Sequence, residues 1–502
     1  MLLTRGVRAT GSDAQRPTAA TYTRRRVLAL AGVGAVGLTG AESVGLLGAG
    51  AAPSLPVHPA VTRLRSRPDL RPPGVTVTTA RSGRAAGLIF IAPYPQPAQG
   101  GPLIFDDRGE PVWFLPRVHD QAANLAVQSY RGQPVLTWWE GKINTLGQGR
   151  GRAIIADSSY RHLASVRAAR GQSLDLHEFR LTASGTALIT AFSTVAADLS
   201  PVGGPVAGQV SESVVQEIDV ASGRLLLDWH SLDHVALTES YSPVGEPYDY
   251  LHANSVDVDG DGNLIVCARN THAVYKIDRR SGQMIWRLGG KRSDFAMGPG
   301  TTFAWQHDAR RQPDGSITLF DDAASPAVAR QSRGMVLVLD EQRRRASLRR
   351  SYVHPQPLLA ASQGNLQVLP DGHALVGWGA QPYVSEFDAA GRLVFDAHMH
   401  APGQSYRALR QPWAGTPVEP PAVVLARSAG RSTAYVSQNG ATAVATWVLL
   451  AGERDMSLRP VATRARAGFE TAIPVAQTSR YVAVRALDAH GHTLAQSAAV
   501  RV

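Results

Sequence analysis

The chain has 502 residues, a formal net charge of +11, 48 glycines, 32 prolines and a single cysteine. That length is more than one compact core usually holds, so two domains are expected, and one cysteine excludes an intramolecular disulfide. The positive charge is scattered arginine, clustered only at turns such as Arg279-Arg280, Arg343–Arg345 and Arg349-Arg350, which argues for a solvated face and against a nucleic-acid partner.

Residues 1–52 read as an export signal. Arg24-Arg25-Arg26 precedes Val27–Leu47, a weakly hydrophobic Gly/Ala-rich stretch, and Ala49-Gly50-Ala51 offers a small-residue cleavage site. This is the pattern of a twin-arginine signal, recognised by the twin-arginine translocation machinery, and it predicts a periplasmic, cell-surface or extracellular location in a bacterium. The stretch is close to the length that spans a bilayer, so an uncleaved segment would instead tether the chain to a membrane. Residues 53–74 read as a linker.

From Val75 to His400 the chain is repetitive. An apolar residue, an Asp, a polar turn and an apolar strand recur at Asp106, Asp157, Asp219, Asp278, Asp340 and Asp388. The spacing of roughly 50–60 residues suits four strands and one long loop per repeat. The clearest copy, Leu251–Trp286, reads as four strands, with Asp259-Gly260-Asp261-Gly262 and Arg279-Arg280-Ser281-Gly282 as turns. Six repeats predict a six-bladed β-propeller over 75–400, entered through the strands Gly87–Ala92 and Leu103–Asp106. Trp113, Trp229 and Trp286 end copies of the fourth strand and are expected to pack between blades. Cys267, in an apolar strand, is expected to be a buried structural thiol.

The first strand of each blade lines the central channel, so residues at that position converge although they are far apart in sequence. His177, His252 and His307, with Asn124 and Asn365, open the five first-strand copies. Three histidines at one repeat position point to a shared site.

Residues 401–422 read as a Pro-rich linker, with Pro402, Pro412, Pro417, Pro420 and Pro421. Beyond it, 423–502 alternates apolar and polar residues in short strands such as Thr433–Val436, Val444–Leu450 and Tyr481–Ala486. A small β-sandwich of fibronectin or immunoglobulin kind is expected, with Trp447 and Tyr481 in its core. The fold class is therefore all-β.

The stretches SLDLHEFRLTASGTALITAF, YDYLHANSVDVDGDGNLIVCARNTHAVYKIDRRSGQMIWRLGG and FAWQHDARRQPDGSITLFDDAASP resemble the bacterial arylsulfotransferases, over roughly Gly87 to His400. The His-x-Asn-Ser-Val and Gln-His motifs carry the likeness. The resemblance implies a six-bladed propeller that moves a sulfuryl group from an aryl sulfate donor to a phenolic acceptor, with no nucleotide, metal or other cofactor. It implies His307 as the nucleophile that becomes sulfated. His252 and Asn254 match the family's His-x-Asn pair, Arg269 matches the arginine after the next strand, and His177 looks like the remaining channel histidine. The chain departs from the family's better-known members in placing its extra β-domain after the propeller and in having too few cysteines for their disulfide.

These residue types suit that chemistry. A neutral imidazole is a nucleophile at pH 7, and a planar guanidinium such as that of Arg269 grips an oxyanion at two points while Asn254 adds a donor. A second imidazole, His252 or His177, can carry the phenol proton. Two rival readings stay open: an exported propeller that binds a metal or other ligand without sulfotransferase activity, and a quinone-cofactor dehydrogenase, whose tryptophan-ended repeats Lys276–Trp286 resembles. Against the first, Asn254 and Arg269 are poor neighbours for a cation; against the second, those propellers have eight repeats.

Overall fold

The computed structural model describes residues 59–94, 99–428, 431–475 and 479–502; the expected export signal lies outside the described residues. Within them the chain is almost entirely β, and no helix is long and apolar enough to cross a membrane.

Strands pair antiparallel in groups of four that follow chain order. One group runs from Gln121–Tyr130 to His162–Val166 and the next from Leu174–Leu181 to Leu225–His230, the two being joined through a bridge between Gly151 and Leu174. Three more run from Ala253–Val258 to Met284–Gly289, from His307–Arg311 to Arg345–Tyr352, and from Asn365–Val368 to Leu393–Met399. A sixth joins the two ends of this region: Leu409–Gln411 supplies the first strand to Leu88–Ile91, Leu103–Phe105 and Pro111–Phe114. Val75–Ala80 likewise adds itself to Leu393–Met399.

The repeated Asp is explained by its turn. Each of the six stands between the third and fourth strands of its group, and its carboxylate accepts backbone N–H groups two to four residues on. Asp157 takes those of Ser159 and Arg161, Asp278 those of Arg280 and Ser281, and Asp388 those of Ala390 and Arg392. These bonds close the turn locally, which is why an Asp there is favoured.

Between successive groups lie separate hydrophobic cores. Trp229 packs with Val256, Val266 and Tyr275 of the following group, Trp286 with Leu319 and Met335, and Trp113 with Leu136 and Trp138. A further core joins Ile89 and Phe105 to Leu375 and Phe395, so the last group packs on the first. The three tryptophans are thus packing residues, and truncating a fully buried one such as Trp286 to Ala would cost about 3–5 kcal/mol. Cys267 is 0% exposed, and burial pushes its thiol up to about 12.

The C-terminal region has a three-stranded and a five-stranded sheet that share one core around Trp447, Leu449, Ile473 and Val484. Trp447 is buried as expected, whereas Tyr481, placed in that core by its alternation pattern, is only half-buried at the first position of its strand. Neither expected linker is a bare spacer where it is described. Ser66 bonds Ser437 and Glu470 of this region, and Arg65 bonds Tyr435. The 401–422 stretch contributes the strand Leu409–Gln411, and its Tyr406 is 1% exposed.

Candidate active site

Two consecutive residues of an extended chain point to opposite sides, and two first strands and the segment just before Leu409–Gln411 use that alternation identically. His177-Glu178, His307-Asp308 and Tyr406-Arg407 each send the first side chain into a cavity of about 580 Å³ and the second into another of about 300 Å³. The layer between is ionic. Arg407 donates to Asp308 at 2.7 Å and to Asn124 at 2.6 Å, and Arg310 donates to Glu178 at 2.7 Å. Asn124, Glu178, Asp308 and Arg407 are buried, and removing one partner of such a cluster would cost about 3–5 kcal/mol.

The other three first strands carry asparagines. The amide nitrogens of Asn124, Asn254 and Asn365 donate to the carbonyls of Leu176, Gln306 and Ala408 at 2.5, 2.7 and 2.8 Å, each clipping its strand to the first strand of the next group. His252 therefore stands in a different register from His177 and His307: it precedes its strand, in the left-handed region at φ +56°. Asn124 and Asp308 are left-handed as well, and in all three strands the pairing register shifts beside that residue. A bulge of this kind re-aims the neighbouring side chain.

His177, His252, Arg269 and His307 line the larger cavity together. Asn254 does not line it: it is 0% exposed, its amide is spent on Gln306, and its Oδ1 has no protein partner.

Each histidine has a carboxylate behind it. His307 Nδ1 lies 2.7 Å from Asp322, His177 Nδ1 2.5 Å from Asp175, and His252 Nδ1 2.5 Å from Asp249. The backbone N–H of Gln363 donates to His307 Nε2 at 3.2 Å, so Nε2 holds the lone pair and Nδ1 the proton. Burial holds His307 well below the usual histidine range, and the Arg269 cation adds to this, so the ring is neutral. Burial also pushes the Asp322 carboxyl well up, opposed by the Arg269 cation and reinforced by the neighbouring Asp321. His177 is lowered by burial against the pull of Asp175.

His177 and His252 meet Nε2 to Nε2 at 3.1 Å. Asp175–His177–His252–Asp249 is therefore a chain of three hydrogen bonds needing three protons, whereas two carboxylates and two neutral imidazoles carry two. Closing all three at once takes one proton beyond those of the neutral rings, while burial disfavours a charge on His177.

Arg269 donates to Asn270 at 2.9 Å and to the carbonyl of Ala361 at 3.1 Å, and its guanidinium carbon lies 4.8 Å from the centre of the Trp305 ring. Among the described residues it has no carboxylate partner, so its charge is available to an anion in the cavity. Burial lowers its pKa, opposed by Asp322 and Asp249.

Sequence reasoning missed Asp175, Asp249, Gln363, Tyr406 and Arg407. A signal existed for the carboxylates: Asp175 and Asp249 stand two and three residues before their histidines, and Asp322 directly follows the strand Ile317–Asp321 paired with that of His307. Tyr406 was hidden in a proline-spaced stretch. Its hydroxyl donates to the carbonyl of Asn254 at 2.6 Å, and its ring sits edge-on to His177 and His307 at 5.2 and 6.1 Å. No group of three or more His, Cys, Asp or Glu among the described residues is arranged to hold a metal ion.

Solved structures with some likeness include a protein of unknown function from Bacteroides caccae (14% identity, TM-score 0.39, 64% of this chain and 98% of that one). A protein from Lactobacillus plantarum matches at 14% identity and TM-score 0.37, over 76% of this chain and 97% of that one. A catalytically inactive virginiamycin B lyase from Staphylococcus aureus with quinupristin matches at 8% and 0.34, over 73% and 97%. No curated protein matches significantly. The family model described as arylsulfotransferase matches residues 126–400, which include His177, His252, Arg269 and His307. The chain belongs to the arylsulfotransferase family.

Proposed function

We infer that the protein transfers a sulfuryl group from an aryl sulfate to a phenolic acceptor in two displacements, through a sulfohistidine at His307 and without a nucleotide donor. The observation that carries this reading is the tautomer of His307: a buried, neutral imidazole with its Nε2 lone pair on the cavity side and an unpaired arginine in the same cavity. A general metal or ligand site would not need that pairing.

In the first displacement the donor sulfate lies against Arg269, and its sulfur takes the place of the Gln363 amide at Nε2. The N–S bond forms as the S–O bond to the aryl group breaks, and the phenolate leaves with a proton from the His177–His252 chain. The Gln363 N–H then faces a sulfuryl oxygen, and Asp322 balances the charge on the sulfated ring through Nδ1–H. In the second displacement the acceptor phenol returns a proton to the chain, its oxygen bonds to sulfur, the N–S bond breaks and His307 is restored. Protons balance over the cycle, and donor and acceptor never occupy the site together.

The six four-stranded groups, each packed on the next and the last on the first, support a six-bladed propeller over 75–400 closed by Leu409–Gln411. The two C-terminal sheets support a β-sandwich over 423–502. Residues 1–52 act as a twin-arginine signal in this reading, placing the enzyme outside the cytoplasm.

The test is rapid-quench mass spectrometry after mixing with 4-nitrophenyl sulfate alone. One sulfuryl group on His307 and one equivalent of nitrophenol are expected, and both vanish in His307→Ala. A sulfuryl group on another residue, or steady turnover with none, overturns the two-step route through His307.

A further inference from the structure

Trp305 stands two residues before His307 with its backbone in the left-handed region, at φ +58°. For a bulky side chain that conformation is strained, and such strain persists only where the surroundings over-determine it, which happens most at functional sites.

The surroundings here fix the indole from several directions. Its N–H donates to the carbonyl of Pro326 at 3.1 Å. The ring of His272 meets it edge-on with centroids 4.3 Å apart, and His272 is itself left-handed and stacked on Tyr241 at 4.1 Å with 3° between planes. Burial, with Arg269 and Lys291 adding to it, pushes His272 down to about 4, so the ring beside the indole carries no charge to repel a guanidinium. Next along the chain, Gln306 donates to the carbonyls of Ala268 and Ala273 at 3.0 Å each, locking this segment to the hairpin that bears Arg269.

Arg269 uses only neutral oxygens of Asn270 and Ala361 as hydrogen-bond acceptors. A carboxylate would hold it more firmly but would neutralise the charge that an anionic ligand needs. An aromatic face attracts a cation without competing for its N–H groups.

We propose that Trp305 is a positioning residue: its ring holds the Arg269 guanidinium in the orientation that receives an oxyanion beside His307. The identity of the reacting oxyanion rests on the sulfuryl-transfer reading, but the positioning can be read with inorganic sulfate alone.

The experiment measures sulfate binding by calorimetry and kcat/KM with 4-nitrophenyl sulfate, each with a thermal-unfolding control, in Trp305→Phe, Trp305→Leu, Arg269→Ala and the Arg269→Ala/Trp305→Leu double variant. Trp305→Leu should weaken sulfate binding and lower kcat/KM about tenfold, while Trp305→Phe keeps most of both. Added to Arg269→Ala, the Leu change should have no further effect on either. If Trp305→Leu does not fold, Trp305→Met, also without a π face, replaces it. Equal losses in the Phe and Leu variants, undiminished loss in the Arg269→Ala background, or no sulfate binding by the folded wild type overturns the proposal. A wild type that binds sulfate with this dependence yet turns over no aryl sulfate overturns the sulfotransferase reading and leaves the positioning role standing.

Discussion

His177 and His252 face each other Nε2 to Nε2 at 3.1 Å while each Nδ1 faces its own carboxylate, an arrangement suited to passing a proton along the two imidazoles. Such a relay matters only when the departing phenolate needs a proton. His252→Gln should therefore slow transfer from phenyl sulfate by about 10²–10⁴-fold and from 4-nitrophenyl sulfate far less, because nitrophenolate leaves without help. Single-turnover rates across a series of donors measure this, and an equal loss with every donor would reduce His252 to a positioning role.

The nucleophile should keep working in acid. Burial and Arg269 disfavour the imidazolium of His307, so the lone pair at Nε2 survives well below the ordinary histidine range. The nitrophenol burst per enzyme should be as large at pH 5.5 as at pH 7. A burst that titrates away near ~6.5, the unperturbed value, would place His307 in water rather than in this cavity.

Folding stability carries a related signature. The pKa of His272 is about 4 in the fold, below its unfolded value, so between those values the unfolded chain binds more protons and stability falls as pH drops. The window runs from about 6.5, the unperturbed histidine value, down to about 4. His230 and His354 are shifted the other way by Glu212 and Asp396 against burial; their contributions are present in acid and fade as pH rises through their folded pKa values. In urea titrations across that window, His272→Gln should lose stability with falling pH less steeply than the wild type. Parallel curves would contradict a neutral buried His272.

Asn254 offers a contrast with Arg269. Its amide satisfies the buried carbonyl of Gln306, so Asn254→Ala leaves that group only the weak Cys267 thiol donor at 3.5 Å, at a cost of about 1–3 kcal/mol. Arg269→Ala should raise the KM for donor and slow transfer by about 10²–10³-fold with little change in stability. If instead Asn254→Ala raises KM and leaves the unfolding midpoint alone, its amide turns toward the substrate during the reaction.

Much of this architecture was legible because it repeats. The Asp-turn motif is local chemistry, a carboxylate closing its own turn, and six copies announce six groups of strands. The histidines were legible for the same reason, although His252 reaches the cavity from another register through a left-handed residue that no pattern of apolar side chains reveals. Tyr406 and Arg407 were invisible for a physical reason: the strand they precede, Leu409–Gln411, is three residues long and pairs with Leu88–Ile91 from the other end of the chain. Too short to show a period among prolines, it is specified by a partner more than three hundred residues away.

Export makes a prediction outside the fold. If residues 1–52 direct twin-arginine translocation, changing Arg24, Arg25 and Arg26 to Lys should hold the protein in the cytoplasm of a bacterial host, as fractionation and blotting would show. Undiminished export would assign the segment to the general secretory route.

Tyr406 tests the division of labour within the cavity. Its hydroxyl donates to the carbonyl of Asn254 at 2.6 Å, and burial pushes its pKa well above the usual phenol value, so it stays protonated and is a poor proton carrier. Its ring meets those of His177 and His307 edge-on at 75–85°. Tyr406→Phe removes one hydrogen bond and leaves the ring, so it should cost about 1–3 kcal/mol of stability while single-turnover transfer stays within roughly tenfold of wild type, with the same dependence on the leaving group. Tyr406→Ala removes the packing between the two histidines and should cost about 3–5 kcal/mol, with transfer failing for every donor alike. The informative measurement is the slope of log rate against leaving-group pKa. Should Tyr406→Phe steepen that slope as much as His252→Gln does, the proton reaching the phenolate passes through Tyr406, and the His177–His252 chain serves to hold the sulfate instead.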